Sequence, residues 1–284
     1  MRLLILAVDA LEYDFVKSRR FPFIKQRQYH RVEIPEECLS YVEGIGYIPY
    51  TPVIWTTILT GKTPKEHGVT IEVAKRHWKN PILHRLEKTK PIKKIYVKMV
   101  EKKILPAGIF EKIGFKKFNP IENLETLLDL AKNPIVIRNP MSMDLKWRVK
   151  TAEFFGFEEA VKSHIKNFMR VTKETLNAVN KNWDLLFTYV KILDNIGHIY
   201  WHRPNIVEKY YRMVDYFAYQ LRQKMPENSI LVILSDHGME LMKGSKVGGD
   251  HSCHAFISFS QKVEVPDRLK ITDIFYILRG LMEK

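Results

Sequence analysis

The spacing of apolar residues along the chain predicts alternating strands and helices. Continuous apolar runs at residues 3–8, 184–190 and 229–234 are typical of strands that are covered on both faces. Shorter strands are predicted at 31–34, 134–138 and 255–259, and helices at 121–132, 157–181, 207–224 and 272–282. A helix followed by a loop is predicted at 12–30, and a glycine- and tyrosine-rich loop at 40–50. This alternation favours an α/β fold with a mostly parallel central sheet and helices on both faces, formed by residues 1–284 as a single domain.

Residues 76–118 interrupt this pattern. Lysines such as Lys88, Lys94 and Lys103 outnumber acids there, while apolar residues persist among them. This composition predicts a helical insertion with a basic face rather than a disordered tail. A solvated surface is favoured over a phosphate or nucleic-acid patch as its role.

Composition narrows the class of protein. The chain has 45% hydrophobic and 12% aromatic residues, which is typical of a globular protein. No apolar run is long enough to span a membrane, and the N-terminal run meets Asp9 without a cleavage site, so a buried strand is expected rather than a signal peptide. Two cysteines fit a reducing, cytoplasmic location. The net charge of +14 suits phosphate-bearing partners, but a lysine-rich, thermophile-like composition explains it equally well.

The stretch from Thr51 to Gly61 predicts a short buried helix. Thr51 is a good N-cap, Pro52 suits the first helical position and Gly61 suits the end. A hydroxyl at the start of a helix lies where backbone N–H groups and the helix dipole favour an anion. Taken alone, an ordinary capping threonine is the favoured interpretation.

Three aspartates follow the three strong strands: Asp9, Asp194 and Asp236. Ligands of open α/β sheets bind outside the carboxyl ends of the strands, so a shared site is expected there. His198 follows Asp194 by four residues, and His237 follows Asp236 directly. A further pair, His251 and His254, comes after a glycine-rich turn.

Carboxylate and imidazole ligands together suit Zn²⁺, with Mn²⁺ as the alternative. Three carboxylates and three histidines exceed the needs of one catalytic metal and fit a pair of ions. A threonine hydroxyl that faces two metal ions from a helix N-terminus is a credible nucleophile. The joint pattern therefore outweighs the separate interpretation of each residue as a turn aspartate, a core histidine or a cap.

The order of the short motifs resembles a known family. They are Val8-Asp9-Ala10, Thr51-Pro52, Thr60-Gly61, Pro64, His67-Gly68-Val69, Trp183-Asp184, Asp194, Gly197-His198, Ser235-Asp236-His237-Gly238 and Gly249-Asp250-His251. Their sequence is similar to that of the alkaline phosphatase superfamily, in its type I phosphodiesterase/nucleotide pyrophosphatase branch. The resemblance covers residue 3 to about residue 259 except the basic insertion, and it implies an alkaline phosphatase-like fold.

The resemblance also implies roles for individual residues. Thr51 matches the nucleophile, and the metal nearest to it would be held by Asp9, Thr51, Asp236 and His237. Asp194, His198 and His251 would hold the other metal. His251 is preferred to His254 because it follows the glycine-rich turn and precedes Ala255 by four residues. His254 is left as a nearby proton donor or substrate contact.

One position departs from the family pattern. Nucleotide pyrophosphatases place an asparagine shortly after the His-Gly element, and Glu72 stands there in this chain. A carboxylate repels phosphate, so either the alignment slips at this point or Lys62 or Asn195 supplies the missing donor.

The expected function is that of a two-metal phosphohydrolase that cleaves phosphodiester or nucleotide pyrophosphate bonds through a phospho-threonine intermediate. A phosphomonoesterase or phosphotransferase of the same superfamily is the alternative, with Arg138 or Lys62 as the cation that a monoester requires. A non-catalytic protein that binds nucleic acid or an anionic surface through residues 76–118 is the alternative of a different class. No membrane partner is expected, and the oligomeric state is left open.

Overall fold

The computed structural model describes residues 2–42, 46–71, 124–140, 157–242 and 248–283. In chain order its elements are β1 (Arg2–Val8), α1 (Tyr13–Lys17), α2 (Pro22–Lys25), β2 (Gln28–Glu33), a 3₁₀ turn (Glu36–Cys38), β3 (Ser40–Val42), β4 (Gly46–Ile48), α3 (Thr51–Thr60), α4 (Pro64–His67), β5 (Pro134–Ile137), α5 (Phe157–Ala178), β6 (Leu185–Val190), α6 (Ile192–Tyr200), α7 (Pro204–Lys224), β7 (Ser229–Leu234), β8 (Gly238–Leu241), β9 (Gly249–Ser252), β10 (His254–Phe259) and α8 (Asp273–Met282).

A six-stranded sheet forms the centre of the fold, in the order β2-β10-β7-β1-β6-β5. Strand β1 pairs in parallel with β6 on one side and with β7 on the other, and β5 extends the parallel part beyond β6. At the other edge β10 pairs with β7 in antiparallel orientation, and β2 pairs with β10 in antiparallel orientation, so β10 is the one described strand of this sheet that runs against the others. The prediction of a mostly parallel sheet is therefore confirmed, and the carboxyl ends of β7, β1 and β6 meet at one edge.

The apolar runs of the central strands separate two hydrophobic cores. Leu3, Ile5 and Ala7 of β1 face a core that contains residues of α3 and α8. The alternate residues of β1 face a second core, built largely from α5, α6 and α7. Both faces of the sheet are thus covered by helices, which is why the central strands are apolar without interruption.

Three predictions of local structure are wrong. Residues 12–30, predicted as a helix followed by a loop, form two short helices, α1 and α2, and the start of β2. Residues 124–132, the described part of the predicted helix at 121–132, form turns. Asp129 accepts hydrogen bonds from the backbone and the hydroxyl of Thr126, and Leu127 donates to the carbonyl of Leu59 in α3. These bonds replace the helical pattern. The glycine- and tyrosine-rich loop predicted at 40–50 instead contains the β3–β4 hairpin.

The basic segment 76–118 lies outside the described residues, so its helical nature stays a prediction, as does the single-domain organisation. Among the helices that the structure describes, none combines the length and the apolar character that crossing a membrane requires.

Candidate metal and phosphoryl-transfer site

Thr51 begins α3, and all ten residues of this helix are buried. The prediction of its position as the N-cap is off by one residue, because Tyr50 has the extended backbone of the cap and Thr51 is the first helical residue. The Thr51 hydroxyl lies 3.2 Å from Nε2 of His237. The helix ends as predicted at Gly61, whose left-handed backbone has a φ of 69°. The hydroxyl is therefore directed at the histidine instead of capping the helix.

The three predicted aspartates are buried at the carboxyl edge of the sheet. Asp9 follows β1 directly, Asp236 lies just beyond β7, and Asp194 lies in the first turn of α6, after β6. Their exposed fractions are 0%, 0% and 2% respectively. Since these strands are neighbours, parallel pairing brings together carboxylates that lie up to 227 residues apart in the sequence, as counted from residue 9 to residue 236.

The three predicted histidine ligands share one hydrogen-bonding arrangement. Nδ1 of His198 bonds the carbonyl of Gly249, Nδ1 of His237 bonds that of Gly238, and Nδ1 of His251 bonds that of Pro49. A carbonyl only accepts, so each Nδ1 carries a proton and each neutral ring keeps a lone pair on Nε2. Metal-ligating histidines commonly have this arrangement, in which a carbonyl accepts from one ring nitrogen and leaves the other free to bind the metal.

Nε2 of His237 is the centre of the first group of ligands. It lies 3.3 Å from Oδ1 of Asp9, 3.3 Å from Oδ2 of Asp236 and 3.2 Å from the Thr51 hydroxyl. Ligand atoms about 2.1 Å from a tetrahedral Zn²⁺ lie roughly 3.4 Å from each other. The separations therefore fit the edges of such a coordination shell.

The second group is a nearly equilateral triangle. Oδ1 of Asp194 lies 3.2 Å from Nε2 of His198 and 3.3 Å from Nε2 of His251, and the two Nε2 atoms lie 3.2 Å apart. Asp194 and His251 also come within 4.8 Å of a ligand atom of His237, so the two groups adjoin. The His198 side chain is 39% exposed, so this group is the one that opens to solvent.

Both groups contain acceptors that lack a donor. Within the described part of the chain, Oδ1 of Asp9, Oδ1 of Asp194 and both carboxylate oxygens of Asp236 are buried and have no hydrogen-bond partner. Burial and then the charge of Asp9 raise the pKa of Asp236 well above its ordinary value. Buried acceptors without donors are costly, and a cation between them removes the cost. The donor set therefore fits divalent metal ions.

Without a metal ion, a proton on His198 supplies part of the positive charge that the buried carboxylates require. Burial acts to lower the pKa of His198, but the charge of the nearby Asp194 carboxylate outweighs burial and raises this pKa to about 9. A single proton on His198 still leaves the buried carboxylate oxygens of the first group without a hydrogen-bond donor. Metal binding must displace this proton, since the ligand is the neutral ring.

Lys191 and Tyr189 belong to the site and were missed from the sequence. Nζ of Lys191 lies 3.0 Å from Oδ2 of Asp9 and 3.2 Å from Oδ2 of Asp194, so one ammonium joins the two ligand groups. The Tyr189 hydroxyl donates to the same oxygen of Asp9. A lysine directly after the buried strand β6 and three residues before Asp194 was the signal that could have revealed it.

The predicted substrate contacts are placed less favourably. Lys62 lies beyond the C-terminal end of α3, about 15 Å along the helix axis from Thr51, so it is too far away to replace the missing donor. The Asn195 side chain donates back to the carbonyl of Lys191 within its own helix. Arg138 follows the edge strand β5 directly and has a φ of 61°. His254 contacts Glu12 and Arg31 rather than a metal ligand.

Glu72, the position that departs from the family pattern, lies outside the described residues.

The family of the protein follows from comparison with known proteins. The family model of type I phosphodiesterases and nucleotide pyrophosphatases matches residues 3–268, and the chain therefore belongs to this family. Family membership confirms the resemblance carried by the motifs. The site described above lies wholly within the matched residues.

Individual relatives are distant. GPI ethanolamine phosphate transferase 2 from Kluyveromyces lactis is 32% identical over 81 residues, which are 28% of this chain and only 10% of the transferase. Human ectonucleotide pyrophosphatase/phosphodiesterase 5 is 11% identical with a TM-score of 0.49, over 100% of this chain and 95% of that chain. The PH0037 protein from Pyrococcus horikoshii is 13% identical with a TM-score of 0.49, over 99% and 96%. At these scores the structural likeness supports no conclusion about activity.

Proposed function

We propose that the protein is a two-metal phosphohydrolase that cleaves phosphodiester or nucleotide pyrophosphate bonds through Thr51. One observation carries this proposal. Three histidine Nε2 lone pairs and four carboxylate oxygens that lack a hydrogen-bond donor converge beside the hydroxyl of Thr51, the first residue of α3. Asp9, Thr51, Asp236 and His237 would hold one ion, and Asp194, His198 and His251 the other. Zn²⁺ suits these ligands best, and Mn²⁺ is the alternative.

Bound divalent ions would supply Lewis-acid stabilisation of the phosphoryl oxygens and would lower the pKa of the Thr51 hydroxyl. The protein itself supplies the nucleophile and its orientation. Thr51 is fixed in a buried helix, so its oxygen is held in place before the substrate arrives. The positive end of the α3 dipole also favours the negative charge of the phosphoryl group.

The reaction proceeds in two displacements. In the first, the Thr51 oxygen forms a bond to phosphorus, the ester bond breaks, and the hydroxyl proton ends on the departing alkoxide. In the second, water attacks the phospho-threonine, leaves its OH on phosphorus and returns its other proton to the Thr51 oxygen. Lys191 is paired with Asp9 and Asp194 and keeps these carboxylates ionised.

Replacement of the nucleophile tests this mechanism. Thr51→Ala should lower kcat/KM for bis-p-nitrophenyl phosphate by about 10³-fold or more, whereas Thr51→Ser should retain measurable turnover. Thr60→Ala makes the same chemical change at the far end of the same buried helix and should leave the rate near that of wild type. Retention of a tenth of wild-type activity by Thr51→Ala would rule out Thr51 as the nucleophile.

A phosphomonoesterase is the second candidate, and Lys191 favours it. A monoester carries one charge more than a diester and benefits from a cation beside the metals. Lys191 would supply this cation, a role that the sequence alone suggested for Arg138 or Lys62. Rates on p-nitrophenyl phosphate and bis-p-nitrophenyl phosphate, measured on one metal-loaded preparation, discriminate the two substrate classes.

A further inference from the structure

Glu12 lies where three segments that carry proposed metal ligands meet. The residue is 4% exposed, and it follows Asp9 by three residues. Oε2 of Glu12 accepts a hydrogen bond of 2.8 Å from the backbone N–H of Met239 and another of 2.8 Å from the hydroxyl of Ser252. Met239 is two residues after His237, and Ser252 follows His251 directly. Through this one oxygen, the segment after His237 and the segment after His251 are both hydrogen-bonded to the loop that follows Asp9.

The second oxygen of Glu12 is also fully used. Oε1 accepts from the backbone N–H of Asp14, at 3.0 Å, and contacts Nε2 of His254. His254 in turn contacts Arg31 through Nδ1. Glu12, Asp14 and His254 are ligand-type residues close together, but the four contacts of the carboxylate already satisfy it. Glu12 is therefore a hydrogen-bonding residue and not a further metal ligand.

Gly238 shows how closely the chain approaches this carboxylate. A Cβ atom at residue 238 would lie 2.0 Å from Oε2 of Glu12 and 2.5 Å from the Ser252 hydroxyl. The absence of a side chain at Gly238 is what allows β8 to pass against the carboxylate. Burial acts to raise the pKa of Glu12, but the hydrogen bonds from His254, Asp14 and Ser252 outweigh burial and leave the pKa lowered. The carboxylate is therefore ionised and acts as an acceptor of four contacts.

We propose that Glu12 is a positioning residue for the ligands of the metal pair. Through its hydrogen bonds to Met239 and Ser252, Glu12 fixes His237 and His251 relative to Asp9. It contacts neither a metal ligand side chain nor the reacting atoms, and it acts only through the backbone and hydroxyl that it holds. The inference rests on the proposed two-metal function. Residues that orient metal ligands contribute about 10- to 100-fold to metal affinity.

Metal affinity, rather than turnover, tests this role. Full-length protein loaded with Zn²⁺ is titrated with a chelator of known affinity, which yields the two dissociation constants. Glu12→Ala should weaken both constants by about 10-fold or more. Glu12→Gln keeps one carbonyl oxygen for Met239 and Ser252 and should recover most of this loss. Ser252→Ala removes only the link beside His251 and should weaken one constant while leaving the other near its wild-type value.

His254→Gln is the matched control, because it alters the other side of the same carboxylate. It should leave both constants within about twofold of wild type, since the bonds to Met239 and Ser252 remain. Equal losses in His254→Gln and Glu12→Ala would overturn the inference, as would equal weakening of both constants by Ser252→Ala. Glu12→Gln and Ser252→Ala decide the matter if Glu12→Ala does not fold.

The same titration separates this inference from the proposed function. Fewer than two bound Zn²⁺ ions in the wild-type protein would overturn the two-metal function and, with it, the role of Glu12. Two tightly bound ions in wild type, together with unchanged constants in Glu12→Ala, would overturn the role of Glu12 alone.

Discussion

His67 provides a pH dependence of stability that is independent of the metal site. Its ring is buried beneath α3, where Nδ1 accepts a 3.0 Å hydrogen bond from the N–H of Val69 and Nε2 lies 3.2 Å from the Thr57 hydroxyl. Because a backbone N–H only donates, Nδ1 carries the lone pair and the single proton lies on Nε2. A second proton on Nδ1 would face the Val69 N–H. Burial accordingly lowers the pKa of His67 to about 4.

Proton linkage determines the direction and the size of the change in stability with pH that His67 causes. An unfolded histidine has a pKa of about 6.5. As the pH falls below this value, the unfolded chain binds a proton that the folded chain does not, so stability is full above pH 6.5 and is lost toward pH 4. The slope is about 1.4 kcal/mol per pH unit, which amounts to a loss of about 2 kcal/mol by pH 5.

Urea unfolding at pH 7.5, 6 and 5 measures this loss in wild type and in His67→Asn, with chelator present throughout. Asparagine retains an acceptor for the Val69 N–H but does not titrate. The free energy of unfolding of wild type should fall by about 2 kcal/mol more than that of the variant over this range. All other titrating groups are common to both proteins and cancel in the difference. Parallel pH profiles, within about 0.5 kcal/mol, would refute the burial of a neutral His67.

Two further substitutions, one of them with a matched control, test the packing and the charge of the site. Gly238→Ala should lower Zn²⁺ affinity by about 10-fold or more in chelator competition, because the added Cβ meets Glu12. Gly280→Ala is the control: it lies in α8 with open space for a Cβ, and it should be neutral or stabilising by up to about 1 kcal/mol in urea unfolding. Lys191→Met should destabilise the chelated protein by about 3 kcal/mol, because it leaves Asp9 and Asp194 buried without their cation. Bound Zn²⁺ should reduce that loss, and an equal loss with and without Zn²⁺ would contradict this account of the charges.

Local pattern determined the elements that lie in the centre of the sheet. The apolar runs at 3–8 and 229–234 coincide with β1 and β7 to within one residue, because a parallel strand covered by helices on both faces needs uninterrupted apolar side chains. Short elements were less predictable. The β3–β4 hairpin has only three residues in each strand, and the turns at 124–132 depend on bonds to Asp129 and Leu59 that no helical periodicity reveals.

The sequence by itself supplied the types and the order of the proposed ligands, from Asp9 and Thr51 to His251, because strand-end carboxylates and closely spaced histidines are visible without coordinates. Only the tertiary structure decided how they meet. The strand order places β7 and β6 on either side of β1, and this alone brings Asp236 and Asp194 to Asp9. The histidine tautomers, the ammonium of Lys191 between two carboxylates and the linking role of Glu12 depend on contacts across distant segments. A side chain's partners across the fold are set by the packing of elements, which local periodicity does not encode.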